Sequence, residues 1–227
     1  MLKIENTEII GWNAAIRGMR NPMNSWEKSD SQTCTNCNGC LPGQECERYK
    51  NGTFIGPNDL DLMTRLRNAG TDHRKFMRMI VVYLDITAPL YWWKEFDTYK
   101  VGTVANSCST MHKIHEKEFT MEDFSTEHLY PEVREAFENT IIKYLNEARK
   151  TYNFLSDTPS KKDAWWQMIQ LLPSSYNQKR TVMLNYEVLA NIYKSRRNHK
   201  LDEWHTLCDW IEKLPYSELI TGNEKKD

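Results

Sequence analysis

The sequence predicts an α+β fold in which helices pack on a small sheet. Helix-like spacing of apolar residues recurs along most of the chain. Two segments rich in β-branched and aromatic residues, 79–87 and 181–185, are typical of strands. The composition, with 40% hydrophobic and 27% charged residues among 227, excludes a collagen-like or largely disordered protein.

The apolar spacing and the helix-ending residues predict seven helices in order along the chain. Pro57 and Gly70 bound the second, Pro89 opens the third and Pro131 opens the longest. The predicted ranges are 8–19, 57–69, 89–99, 131–155, 161–172, 188–194 and 201–214. Neither a repeat nor a flexible linker is visible, so we expect a single domain over 1–227, with 21–56 as an irregular, cysteine-rich insertion.

The charge balance limits the classes of partner. Thirty basic and thirty-one acidic residues give a net charge of -1, which does not favour an electrostatically driven nucleic-acid binder. No apolar run approaches the roughly 20 residues that a membrane span needs. The start, MLKIENTEII, is too acidic for a signal peptide. We therefore expect a cytoplasmic protein without a membrane segment.

Four cysteines form a C-x2-C-x2-C-x5-C motif: Cys34, Cys37, Cys40 and Cys46. In a cytoplasmic protein, four closely spaced thiolates indicate a metal rather than disulfides. Structural zinc fits four convergent sulfurs, and an iron–sulfur cluster is the alternative, although the fourth spacing departs from the ferredoxin pattern. Disulfides or unliganded thiols remain open as well. The motif would stabilise the insertion where no apolar core can.

Residues 102–110 form a small, polar segment that is predicted to be a loop. It contains hydroxyl, amide and thiol groups, which suit hydrogen bonds to a polar planar ligand such as a base or a sugar phosphate. Trp92, Trp93 and Lys100 precede it. A solvated surface loop is the alternative, and each tryptophan of this chain is by default a core or interface residue.

The turn at 194–200, KSRRNHK, concentrates cationic residues between two predicted helices. Basic side chains stabilise a helix C-terminus, which is one explanation of this turn. The other is a site for a nucleotide phosphate, for which Arg196 and Arg197 are the candidates. His112 and His115 have a spacing that could bind a metal, but we interpret them as surface or hydrogen-bonded histidines.

Two blocks of the chain resemble the flavin-dependent thymidylate synthases. In the first, His73, a strand ending in Ala88-Pro89, an aromatic helix and Thr103 follow the family's order and spacing. In the second, Leu172-Pro173, a strand, Asn185, a helix and Arg196 do the same. Together the blocks cover a little over a quarter of the chain, and the resemblance implies a distant relative.

The chain departs from the family at its charged motifs. The family's Arg-His-Arg falls on Thr98-Tyr99-Lys100, and only Lys100 keeps a positive charge. The arginine of Asn-x-Arg falls on Glu187, a reversal that we expect to repel a phosphate. Lys179 and Arg180 are nearby cations that could take over phosphate binding.

The resemblance implies FAD as cofactor, a pyrimidine nucleotide as substrate, a folate as carbon donor and a homotetramer. On the matching positions it implies that His73, Lys100 and Thr103 bind the cofactor. The implied substrate-binding residues are Ser107, Cys108, Ser109, Asn185, Arg196 and Arg197. The corresponding hypothesis is one-carbon transfer to a pyrimidine nucleotide. A non-catalytic nucleotide binder on the same scaffold is the alternative, and an interaction module built around the cysteine motif is a third.

Overall fold

The computed structural model describes residues 2–34, 52–156 and 158–222. The strands are β1 (Lys3–Ile10), β2 (Gln32–Thr33), β3 (Thr53–Phe54), β4 (Val81–Pro89), β5 (Val104–Ser107) and β6 (Asn177–Asn185). The helices are α1 (Trp12–Arg20), α2 (Pro57–Asn68), α3 (Leu90–Phe96), α4 (Pro131–Phe137), α5 (Lys143–Phe154), α6 (Pro159–Leu171), α7 (Tyr186–Arg196), α8 (Asp202–Ile211) and α9 (Glu218–Thr221). The predicted α+β class is confirmed.

The strands form one sheet of four, in the order β1-β4-β6-β5, and a second of two. β2 and β3 are antiparallel, with Gln32 opposite Phe54. The predicted strands at 79–87 and 181–185 are confirmed as β4 and β6. β5 lies in the segment predicted to be a loop, so that prediction was wrong for 104–107. All four of its residues are exposed, and a strand without a buried face leaves no alternation in the sequence.

The helix predicted at 8–19 begins later than expected. Residues up to Ile10 belong to β1, and α1 starts at Trp12. Gly11 separates the two elements with a φ of 96°, and a Cβ at this position would lie 2.0 Å from the carbonyl oxygen of Met79. Only glycine fits there. The change from strand to helix therefore depends on Gly11, and the spacing of apolar residues does not reveal it.

The other predicted helices are confirmed with small shifts of their ends. The long helix predicted from Pro131 is built of α4, a π-helical turn (Glu138–Ile142) and α5. The helix expected to reach residue 99 ends as α3 at Phe96 and is followed by a 3-10 turn. Within 2–34, 52–156 and 158–222, no helix has the length and apolar character needed to cross a membrane.

The contacts divide the chain into two compact units. Unit 1 comprises residues 1–5, 85–98 and 105–181, and unit 2 comprises 6–84, 99–104 and 182–227. Each unit is built from separate stretches of chain. The expectation of a single domain over 1–227 stays a prediction.

Unit 1 has an aromatic and aliphatic core. Phe119, Phe124, Leu145 and Met168 are buried together where α5 and α6 pack against each other. On α3, Trp92 and Trp93 are at most 1% exposed and contact each other edge to face at 4.9 Å. These two rings are therefore core residues and do not offer a free face for stacking.

Unit 2 is centred on other buried rings. Trp12 contacts Tyr186 and Tyr216 edge to face at 5.2 and 5.3 Å, and Trp204 of α8 is fully buried. The hydroxyl of Tyr186 donates to the carbonyl of Pro215 at 2.6 Å. Burial raises the pKa of Tyr186 far above its ordinary value, so this hydroxyl stays protonated and keeps its donor role.

A buried ion pair fixes the start of the insertion in unit 2. Arg20 Nε lies 2.6 Å from Asp59 Oδ1, and the two side chains are 5% and 0% exposed. The other carboxylate oxygen of Asp59 accepts hydrogen bonds from Ser29, Asp30 and Ser31. Residues 29–31 are thereby attached to α2. The rest of the insertion, from 35 to 51, lies outside the described residues.

Candidate functional site

Helix α7 of unit 2 organises most of the predicted site residues. Asn185 is its N-cap, and the side-chain Oδ1 accepts hydrogen bonds from the backbone N–H groups of Glu187 and Val188, both at 3.1 Å. This is the usual reason for an asparagine at the position. Its Oδ1 is therefore engaged in capping, whereas its Nδ2 is a donor that faces away from those amides.

The turn at 100–103 lies against this cap. The N–H of Thr103 donates to the carbonyl of Lys100 at 3.2 Å. Gly102 has a φ of 79°, and a Cβ there would approach Asn185 Nδ2 to 3.3 Å. The turn that carries Lys100 and Thr103 thus lies beside Asn185. The Oγ1 atom of Thr103 is buried and has no hydrogen-bond partner among the described residues.

His73 precedes a 3-10 helix (Arg74–Met79) that packs on α7. His73 itself is exposed. The next residue, Arg74, donates from Nε to Glu187 at 3.1 Å and from Nη2 to Asn191 Oδ1 at 3.0 Å. His73 is therefore fixed near the first turns of α7 through its neighbour.

Glu187 forms an ion pair with two arginines, Arg74 and Arg78. Burial opposes ionisation of this carboxyl, but the hydrogen bonds and charges of both arginines outweigh it and hold the pKa of Glu187 below its ordinary value. The expected repulsion of a phosphate by Glu187 is thus offset locally, since two positive charges face one negative charge. Sequence reasoning missed both arginines, because they are more than 100 residues from Glu187 in the chain.

Arg196 and Arg197 lie at the other end of α7. Arg196 donates from Nε to the hydroxyl of Tyr99 at 3.0 Å, and its guanidinium lies 4.8 Å from the ring centroid of Trp204. Arg197 lies 5.9 Å from the ring of Tyr193. An 11-residue helix is about 16 Å long, so Asn185 and Arg196 are at opposite ends of α7.

Tyr99 connects the two groups of predicted residues within unit 2. It precedes Lys100 in the turn and bonds Arg196 through its hydroxyl. It also occupies the middle of the positions matching the family's Arg-His-Arg motif. Sequence reasoning treated Tyr99 only as a lost charge, whereas the structure uses it to hold a cation.

Ser107, Cys108 and Ser109 belong to unit 1 and are exposed at the end of β5. The backbone of Cys108 is fixed by β6, since its N–H donates to the carbonyl of Lys179 at 2.9 Å and its carbonyl accepts from Gln178 Nε2 at 2.8 Å. The Oγ of Ser109 accepts from the N–H groups of Met111 and His112. The thiol of Cys108 is free.

Two cations suggested as replacements for the missing arginines have structural partners in unit 1. Arg180 lies 4.2 Å from the ring of Trp93 and donates to Gln178 and Asp97. Lys179 Nζ pairs with Asp85 at 3.0 Å. Both positive charges are therefore offset by carboxylates.

The four-cysteine motif is mostly outside the described residues. Cys34 is described and is a free, partly buried thiol, whereas Cys37, Cys40 and Cys46 fall in the undescribed range 35–51. The part of the chain that the structure describes contains no group of three or more histidine, cysteine or acidic side chains that could hold a metal. The zinc or iron–sulfur site stays a prediction.

The fold was compared with solved structures and the sequence with known proteins. No protein-family model and no curated protein matches the sequence. Two crystal structures of flavin-dependent thymidylate synthase ThyX from Helicobacter pylori, both with FAD and dUMP, match at a TM-score of 0.63 and 16% identity. The match covers 96% of this chain and 98% or 97% of theirs.

The chain has the fold of a flavin-dependent thymidylate synthase. The resemblance predicted from two short blocks of sequence is confirmed, and at 16% identity it is a distant one. The ThyX-like fold extends over nearly the whole chain, far beyond the quarter that the two blocks cover.

Proposed function

We propose that this protein binds a pyrimidine nucleotide together with FAD and transfers a one-carbon unit from a folate to the pyrimidine ring. The observation that supports this most is the ThyX-like fold over 96% of the chain, because the matching Helicobacter pylori structures contain FAD and dUMP. The residues of unit 2 at the matching positions supply a chemistry that suits both ligands.

The described residues fit a flavin nucleotide at the N-terminal end of α7. The buried hydroxyl of Thr103 lacks a partner among the described residues, and an orphaned buried hydroxyl favours a site that is completed by a ligand. Beside it, Gly102 removes the side chain that would otherwise crowd Asn185. Lys100 adds an exposed positive charge on the same turn. These residues would hold FAD, which when bound supplies hydride transfer.

Arg196 and Arg197 would bind the nucleotide phosphate. A guanidinium presents a planar fork that matches phosphate, and the hydroxyl of Tyr99 and the ring of Trp204 orient the fork of Arg196. The contacts predicted for Ser107, Cys108 and Ser109 with the pyrimidine remain part of the proposal.

Three measurements test the proposal in sequence. Purified protein is mixed with FAD and passed through a desalting column, and the flavin absorbance of the protein fraction is recorded. Equilibrium dialysis with dUMP then measures nucleotide affinity, and release of the C5 hydrogen of dUMP in the presence of a methylene folate and a reductant measures transfer. Retained flavin, dUMP binding and hydrogen release are expected. Absence of both flavin and dUMP binding would contradict the proposal.

A non-catalytic nucleotide binder on the same scaffold is the second candidate. It is favoured by the replacement of Arg-His-Arg with Thr98-Tyr99-Lys100, since only one of the three cationic positions keeps a charge. This candidate predicts that dUMP binds while neither flavin retention nor hydrogen release is observed. The two candidates therefore differ in flavin retention and in hydrogen release.

We also propose that the chain forms a homo-oligomer, with the tetramer implied by the resemblance. Size-exclusion chromatography with light scattering measures the mass directly, against 26.9 kDa for one chain. A mass near four chains is expected. A mass of one chain at micromolar concentration would remove the oligomer from the proposal.

A further inference from the structure

Unit 1 contains an open groove that shares no residue with those proposed above to bind FAD or the nucleotide. Its volume is about 330 Å³, within the range typical of small-molecule sites. The lining residues combine cationic groups with aromatic rings: Met111, His112, Tyr152, Lys161, Lys162 and Trp165. All six are described residues of the same unit.

Two lysines of the groove lie where a helix disfavours them. Lys161 and Lys162 are in the first turn of α6, which begins at Pro159 and has no acidic residue in that turn. The N-terminus of a helix carries partial positive charge, so cations there are unfavourable and anions favourable. Among the described residues that line the groove, none is acidic. Sequences that break a local rule of this kind do so mainly at functional sites.

The walls of the groove are shaped by specific contacts. Lys161 Nζ lies 4.8 Å from the ring centroid of Tyr152 and donates to the carbonyl of Leu155 at 3.1 Å. Trp165 Nε1 donates to the carbonyl of Met111 at 2.8 Å, which orients the indole. The ring of His115 lies 4.6 Å from that of Tyr152, and its Nδ1 is buried with no hydrogen-bond partner among the described residues.

Lys161 and Lys162 differ in what they can offer a ligand. Lys161 is partly buried and already donates to a carbonyl, so it serves mainly to position the wall. Lys162 is exposed and lines the groove with a positively charged group. Tyr152 and Trp165 are partly exposed and provide apolar ring surface beside that charge.

We propose that this groove binds a planar heteroaromatic compound that carries an anionic group. The ring would lie against Tyr152 and Trp165, and the carboxylate or phosphate would be bound by Lys162 at the N-terminus of α6. Pteroylglutamate and a purine or pyrimidine monophosphate share this chemistry. The first offers carboxylates and the second a phosphate.

Isothermal titration of the full chain with pteroylglutamate and, separately, with AMP and dUMP tests the proposal. Saturating binding of pteroylglutamate or AMP, or dUMP binding that persists in Arg196→Ala, is expected. The identity of the bound compound distinguishes a carboxylate ligand from a phosphate ligand. Lys162→Ala should weaken that binding about tenfold, as for the loss of one charge-assisted hydrogen bond, and Lys162→Glu should weaken it further. Tyr152→Leu should weaken it by loss of ring contact. Raising the salt from 0.05 to 0.5 M should also lower the affinity.

Lys150→Ala is the matched control, because Lys150 is an exposed lysine of α5 in the same unit and does not line the groove. It should leave the affinity unchanged. Circular dichroism and the midpoint of thermal unfolding confirm that each variant is folded. Arg196→Ala separates the two proposals, since it should affect dUMP at the unit 2 residues and leave groove binding intact. No binding of any of the three compounds at millimolar concentration, or equal binding by Lys162→Glu and wild type, would overturn the inference.

Discussion

The carboxylate of Glu187 and the guanidinium of Arg74 form an ion pair at 3.1 Å, with side chains only 9% and 17% exposed. Arg78 completes the cluster from the same 3-10 helix, which places two positive charges on one negative charge at the N-terminal turn of α7. The position that differs most in charge from the family pattern is therefore not an isolated acid. It is the point where the segment after His73 is attached to α7.

Acid should weaken unit 2 through Glu187. Its pKa is lowered in the folded state because the two arginines outweigh the effect of burial. The folded state therefore binds this proton less readily than the unfolded chain does, and the stability from the pair is fully present above an ordinary pKa of 4.5. Stability should fall as the pH drops below that value. Urea unfolding between pH 7 and pH 3 measures the loss.

Glu187→Gln should lower the free energy of unfolding at pH 7 by about 1–3 kcal/mol, because it leaves two arginines without their carboxylate. The variant should also lose less of its free energy of unfolding than the wild type does as the pH falls below 4.5. Glu27→Gln is the control, since Glu27 is exposed in the same unit. Equal pH curves for wild type and Glu187→Gln would show that the pair contributes nothing to acid sensitivity.

The sequence predicted the α+β class and most helices because their signals are local. Pro57 and Pro131 open α2 and α4 as their ring geometry requires. β5 and the true start of α1 were missed because they depend on backbone neighbours. The β5 segment is fixed by β6 through the bond from Cys108 to Lys179.

The candidate site was predictable only in part. The turn that carries Lys100 and Thr103 lies beside Asn185 within unit 2, whereas the ligands assigned to these residues stay a prediction. The ion-pair partners of Glu187 could not be predicted from the sequence, because Arg74 and Arg78 are more than 100 residues away in the chain. The contacts of Arg180 with Trp93 and Asp97 also join residues that are far apart in the sequence. Sequence reasoning counted charges, whereas the structure shows which ones are already paired.

Removing the buried carboxylate of Asp59 should destabilise the protein strongly. Asp59→Ala leaves the 5% exposed Arg20 without its partner and removes the acceptor for residues 29–31. Loss of one member of a buried ion pair costs about 3–5 kcal/mol. Denaturant unfolding followed by circular dichroism measures the change.

Asp61→Ala is the matched control for Asp59→Ala on the same helix. Asp61 pairs with Arg65 at 2.9 Å, but both side chains are about two-thirds exposed, at 66% and 68%. Such a surface pair contributes about 0.5 kcal/mol or less. A loss for Asp59→Ala no larger than that for Asp61→Ala would contradict the importance assigned to the buried pair.

Tyr99 should influence nucleotide binding through Arg196 rather than through contact with the ligand. Tyr99→Phe removes only the hydroxyl that orients the guanidinium. We expect dUMP affinity to fall about threefold to tenfold, as for the loss of one hydrogen bond. Arg196→Ala should have a larger effect, and the double variant should lose no more than Arg196→Ala alone. Additive losses in equilibrium dialysis would show that Tyr99 and Arg196 act independently.

The four cysteines of the insertion should bind one zinc ion per chain. Elemental analysis of protein purified without chelator should give a zinc-to-chain ratio near one, and a broad absorbance near 400 nm would instead identify iron–sulfur. Cys37→Ser with Cys40→Ser should abolish the metal, because structural zinc needs all four ligands. Cys208→Ser is the control, since Cys208 is buried in α8 at 2% exposure and lies outside the motif.

If the metal stabilises the insertion, its removal by a chelator should increase protease cleavage between residues 35 and 51 and leave unit 1 intact. Metal-free protein with an unchanged cleavage pattern would eliminate the site.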